Sequence, residues 1–92
     1  MRINSSDSPF TITSGVDLLI VDASAGRVIV NLEDASSATF RRINIIKDDF
    51  TDNPVELRAP VGNTITGESK TLLTNPKQSI GIVPDQNEWY KL

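Results

Sequence analysis

The stretch Arg27-Val28-Ile29-Val30-Asn31-Leu32 decides the fold class. Successive side chains of an extended chain point to opposite faces, so Val28, Val30 and Leu32 share one side and Arg27, Ile29 and Asn31 the other. A period of two carried by β-branched residues reads as a half-buried strand. The pattern recurs on both sides of it. Ile43 and Ile45 oppose Arg42, Asn44 and Ile46; Val55 and Leu57 oppose Glu56 and Arg58; Ile80 and Ile82 alternate with Ser79, Gly81 and Val83. Working outward, strands are expected at 10–13, 16–22, 27–32, 39–47, 55–59, 63–66, 70–73, 78–83 and 88–91. Breakers bound them: Ser14-Gly15, Ala25-Gly26, Asp52-Asn53-Pro54, Pro60-Val61-Gly62, Asn75-Pro76 and Pro84-Asp85. Residues 33–38 hold the one candidate helical turn, and no helix-length period of 3.6 occurs. The prediction is an all-β domain of eight or nine short strands in a small sandwich or barrel.

Composition agrees. Ten Ile, seven Val and eight Thr stand against five Ala in 92 residues. A chain of this size buries only about 64% of its extended surface, a thin core for a lone monomer. Cysteine and histidine are both absent. Disulfide frameworks, thiolate metal clusters, Ser-His-Asp and Cys-His nucleophilic sites and imidazole switches are therefore excluded. Oligomerisation is the route left for strengthening so small a domain.

The net charge is −3 and the basic residues are scattered, with Arg41-Arg42 the sole adjacent basic pair. Nucleic-acid binding calls for a basic stripe that the sequence lacks, so none is expected. The longest strongly apolar run, Leu18-Leu19-Ile20-Val21, is far too short to span a bilayer. Met1-Arg2-Ile3-Asn4-Ser5-Ser6-Asp7 lacks the apolar stretch of a signal peptide, so no membrane or export is expected either.

Candidate chemistry is sparse. Gly62-Asn63-Thr64-Ile65-Thr66-Gly67-Glu68-Ser69 has the spacing of a phosphate loop, but Glu68 stands where the lysine belongs and would repel a phosphate. Asp48-Asp49-Phe50-Thr51-Asp52-Asn53 gathers oxygen ligands suited to calcium, without EF-hand spacing; turn geometry explains the same residues. Asp22 with Glu33 is the pair a carboxylate hydrolase would use, in a chain with little to build a sugar cleft. No cofactor or metal is assigned, and the chain is read as a non-enzyme. Trp89-Tyr90 either plugs the core or offers a stacking and interface surface.

Two features point to partners. Residues 1–15 read as a separate N-terminal arm, frayed or docked on a neighbour through Ile3 and Phe10, ahead of a β domain at 16–92. Ile29, Ile46 and Val83 put aliphatic side chains on second strand faces, beyond what a one-sided sheet needs. The candidate interface residues are thus Ile3, Phe10, Ile29, Ile46, Trp89 and Tyr90.

The order Val21-Asp22-Ala23-Ser24-Ala25-Gly26, Ile43-Asn44-Ile45-Ile46-Lys47-Asp48-Asp49, Asn53-Pro54-Val55-Glu56-Leu57 resembles a module of bacteriophage virion structural proteins. It continues through Gly62-Asn63-Thr64-Ile65-Thr66-Gly67-Glu68 and Gln78-Ser79-Ile80-Gly81-Ile82-Val83 to Trp89-Tyr90, covering residues 16–92. Pro54 and the glycine-free turn Pro84-Asp85-Gln86-Asn87 depart from the usual course. The resemblance implies a β-rich homotrimer of capsid decoration (cement), head-fibre or tail-fibre proteins. A chain running from Met1 to Trp89-Tyr90-Lys91-Leu92 reads as a whole short product, which favours decoration over a fibre that needs shaft sequence. The implied partner is the major capsid protein and the implied place the capsid surface, after assembly in the host cytoplasm. The alternative is a fibre module that binds a receptor or carbohydrate.

Overall fold

A computed structural model describes residues 1–13, 15–38 and 41–92; the expected strand start at Thr39 and Phe40, and Ser14 of the first breaker, lie outside the described residues. The strands are β1 (Arg2–Asn4), β2 (Phe10–Thr11), β3 (Leu18–Asp22), β4 (Val28–Asn31), β5 (Ile43–Lys47), β6 (Val55–Arg58), β7 (Thr64–Ile65), β8 (Lys70–Leu73), β9 (Ser79–Asp85) and β10 (Glu88–Lys91). They form a six-stranded sheet, β1-β3-β5-β9-β10-β7, and a four-stranded sheet, β2-β4-β6-β8. The fold is nearly all-β, as the alternation predicts. The candidate helical turn at 33–38 forms as a 3₁₀ turn, Ala35–Ser37, capped by the Asp34 side chain on the Ser36 N–H.

The chain visits the two sheets in turn, from β1 in one to β2 in the other and so on through β8. A parallel pair needs a crossover, since a tight hairpin can join only antiparallel strands, and each excursion to the opposite sheet supplies the length for one. Accordingly β1, β3 and β5 stack in parallel, as do β2, β4 and β6. Direction reverses at β6–β8 and β5–β9, and β9–β10 is a tight hairpin. Its turn places Gln86 at φ 57°, a left-handed position held without glycine.

The predicted inward rows meet between the sheets. Val28, Val30, Ile43, Ile45, Val55, Leu57 and Ile82 are all fully buried. The surface of 4939 Å² is close to the roughly 5,300 Å² that surface scaling gives for this mass.

The expected separate arm is corrected. β1 is the edge of the six-stranded sheet, in register with β3, and Ile3 is 4% exposed inside the core. The Ile20 N–H donates to the Met1 carbonyl at 2.8 Å, and the Met1 ammonium donates to the Leu18 carbonyl at 3.1 Å. Phe10 begins β2, the edge of the other sheet, and packs partly buried against the core. A three-residue edge strand needs one inward side chain and backbone pairing; Ile3 among polar neighbours supplies the first, and β3 the second.

Candidate functional site: the two outer sheet faces

The outer face of the six-stranded sheet is aliphatic. Leu18 pairs with Asn44 and Asn44 with Gly81; Ile20 pairs with Ile46 and Ile46 with Ser79; Val83 pairs with Tyr90. Leu18, Tyr90 and Leu92 are exposed. A groove of about 830 Å³ runs across this face, with Leu18, Arg42, Asn44, Ile46, Gly81 and Leu92 among its walls. Its floor depends on Gly81: a β-carbon there would sit 3.0 Å from Arg42 Nη2 and 3.2 Å from Asn44 Oδ1. Without that carbon the guanidinium lies across β9, donating from Nε to Asn44 Oδ1 at 3.3 Å. Among the described residues Arg42 has no carboxylate partner. On its other side a second depression of about 570 Å³ is lined by Ala35, Val83, Pro84 and Gln86.

The outer face of the four-stranded sheet is charged. Ile29, Glu56 and Leu72 form one outward rung, and Asn31, Arg58 and Lys70 the next. Glu56 points outward yet is 0% exposed. Arg27 Nη2 donates to Oε1 and Arg58 Nε to Oε2, while Lys70 Nζ stands 4.0 Å from Oε1. The three cations cover the carboxylate and remain about half exposed themselves. Burial alone would raise the Glu56 carboxyl; the Arg58 and Arg27 guanidiniums outweigh it and hold it below the ordinary value.

The acidic loop after β5 is a structural clasp. Lys47 and Asp49 are both buried and paired. Lys47 Nζ also donates to the Thr51 carbonyl at 2.6 Å. The Asp49 carboxylate accepts from the Ala23 N–H at 2.7 Å, the Thr51 N–H at 2.9 Å and the Thr51 hydroxyl at 2.6 Å. Burial works to raise this carboxyl, but the Lys47 ammonium and those donors hold it far below its ordinary value. Next to it Asp48 is bound by Arg2 and Lys77, and Lys77 lies 4.9 Å over the exposed Phe50 ring. Asp48 and Asp49, two of the calcium ligands considered from sequence, are therefore already served by cationic side chains, and the Asn53 amide donates to the Ala23 carbonyl at 2.9 Å. No trio of potential metal ligands converges among the described residues.

The phosphate-loop look-alike is also occupied from within. Its Gly67 N–H donates to Glu88 Oε2 at 2.6 Å, so a carboxylate takes the backbone donor. Asp22 and Glu33 hold separate partners, the Ser24 N–H and Arg41 respectively.

The six expected interface residues do not form one patch. Ile46 and Tyr90 share the aliphatic face, and Ile29 lies on the charged face. Ile3 and Trp89 are inside the protein, where the Trp89 indole N–H donates to the Glu33 carbonyl at 3.0 Å. Trp89 therefore plugs the core, and Tyr90, one residue on, faces out. Sequence reading missed the Arg42–Gly81 groove and the cations over Glu56. The signal for the second was present: Glu56 and Arg58 alternate outward on one strand. Arg27 and Lys70 join them only through strand register.

Compared with known proteins, the chain matches no family model and no curated protein.

Charge completes the description. Arg27, Arg58, Lys70 and Glu56 together carry +2, which leaves −5 on the rest of a chain whose net charge is −3. Among the described residues Glu68, Asp85 and Glu88, on the β9–β10 and β7 turns, form no ion pair, as is also true of Asp7, Asp17, Asp22, Asp34 and Asp52; Asp85 lines the second depression together with Arg41 and Arg42.

Proposed function

We propose that this chain is a structural protein of a bacteriophage virion, a capsid decoration protein that binds the major capsid protein as a homotrimer and stabilises the shell. The resemblance of the motif order from Val21 to Tyr90 supports this reading. The observation that carries it is the groove around Arg42 and Gly81. Aliphatic side chains surround a guanidinium that has no carboxylate partner among the described residues, a combination of apolar contact area and an arginine anchor that protein interfaces favour. In this reading the function is binding, not catalysis. Bound copies clamp neighbouring capsomers on the outer shell, after assembly in the host cytoplasm and without nucleic acid or membrane.

The test is co-sedimentation of the protein with purified expanded shells of tailed phages. Saturable binding, with shells more resistant to heat, is expected. Leu18→Asp with Ile46→Asp should abolish it while the circular dichroism spectrum stays that of the parent. Shell binding that ignores both substitutions would sink the assignment of the groove.

One observation favours a second reading, a fibre module that binds a carbohydrate. Tyr90 is half exposed beside a depression of about 270 Å³ lined by Asp85, Asn87 and Glu88, an aromatic face with polar groups around it. Titration with a glycan panel, followed by Tyr90 chemical shift, separates the two.

A further inference from the structure

We infer that this chain associates with itself head to tail, the charged outer face of one copy receiving the acidic rim of the next. Two surfaces on one molecule match each other in both charge and apolar content. The receiving face presents Arg27, Arg58 and Lys70, half exposed, on either side of an Ile29–Leu72 rung whose Leu72 is open to solvent. The rim brings Asp85 and Glu88 beside the exposed Tyr90, and Glu68 follows Gly67, whose N–H donates to the Glu88 carboxylate.

Three cations against one covered carboxylate set the receiving face's sign. Glu56 already draws the three cations together and uses only part of their hydrogen-bonding capacity. Each guanidinium has five N–H donors and the ammonium three. The outward donors are positioned for carboxylates arriving from outside, and the matching carboxylates belong to the same chain. Because the basic and acidic surfaces are different patches, the contact is heterologous. Such contacts generate closed rings or open filaments, never an isologous pair. Closure at three copies rests on the proposed trimeric reading; the contact itself rests on the charge segregation.

Sedimentation velocity at ~100 µM protein, in about 20 mM and about 500 mM NaCl, tests it through electrostatic screening. The parent chain should be oligomeric at low salt and shift towards its 10.1 kDa monomer at high salt. E68K with D85K changes two exposed side chains that hold no ion pair among the described residues, and should leave a folded monomer at both salts. K70E should weaken association as well. An equimolar mixture of the two variants should recover a mixed dimer, because the intact rim of one still meets the intact face of the other. A parent chain that is monomeric at low salt would overturn the inference. So would oligomers indifferent to salt and to E68K with D85K, or variants that fold but fail to pair. Shell binding through Leu18 and Ile46 is read separately. A monomer that still binds shells removes only the head-to-tail contact, and an oligomer that binds none removes only the virion reading.

Discussion

Asp49 and Glu56 are both carboxylates removed from water, and the protein holds them in opposite ways. Asp49 is sealed together with its cation: Lys47 is as buried as its partner, and the remaining oxygen capacity goes to Ala23 and Thr51. Glu56 is sealed by cations that stay half in solvent. A pair buried on both sides must hold its geometry, since neither charge has an alternative partner in water. A carboxylate roofed by half-exposed arginines leaves part of the roof's donor capacity facing solvent. The same chemistry closes a buried loop clasp in one case and a solvent-facing cluster in the other.

Asp49→Ala breaks the contrast most severely. It strands the Lys47 ammonium in the interior with the Thr51 oxygens as its remaining acceptors, and removes the acceptor for the Ala23 N–H. Breaking one side of a buried pair costs about 3–5 kcal/mol, so urea unfolding should show a loss of that order. If instead the cost matched that of an exposed pair, the clasp would not be the anchor of the loops around it.

Acid sharpens the comparison. Both carboxyls titrate below their unfolded values of 3.8 and 4.5, so the stability they contribute is complete above those values and is lost as pH falls through the folded ones. Thermal melts should be flat near neutrality and fall from about pH 4 downward. Asp49→Asn should flatten that acid limb more than Glu56→Gln does, since Asp49 is held further down.

Glu56→Ala should cost little, about 1 kcal/mol or less, because Arg27, Arg58 and Lys70 can turn to water when their carboxylate goes. Self-association should change more than stability, as the receiving face then carries +3 where it carried +2. A loss as large as that of Asp49→Ala would erase the distinction between the two sites.

What was legible beforehand follows the same division between local and non-local causes. Alternation is local, so Val28, Val30, Ile43, Ile45, Val55 and Leu57 could be assigned to the core one strand at a time. In Glu88-Trp89-Tyr90-Lys91 the same rule lets only one of the two aromatics face out, which limits a paired stacking platform. The parallel stacking of β1, β3 and β5 was not legible, because it arises from a chain that alternates between sheets over separations that no local motif records. β1 was missed because its one apolar residue, Ile3, carries no periodicity, and its order comes from pairing with β3. The roof over Glu56 is a product of register across three strands, and the Arg42 groove depends on a missing β-carbon at Gly81 on a neighbouring strand.

Gly81→Ala yields the smallest expected change in stability and completes the series with a cation that has no carboxylate among the described residues. The added carbon meets Arg42 Nη2 at 3.0 Å, the far end of a flexible side chain, and Asn44 Oδ1 at 3.2 Å. The guanidinium can swing outward, and alanine loses less chain entropy on folding than glycine, so stability should stay within about 0.5 kcal/mol of the parent. Groove binding should weaken severalfold, because Arg42 no longer lies across β9. An Arg42 as firmly held as Lys47 would give the reverse result, a clear loss of stability, and would make this residue part of the framework.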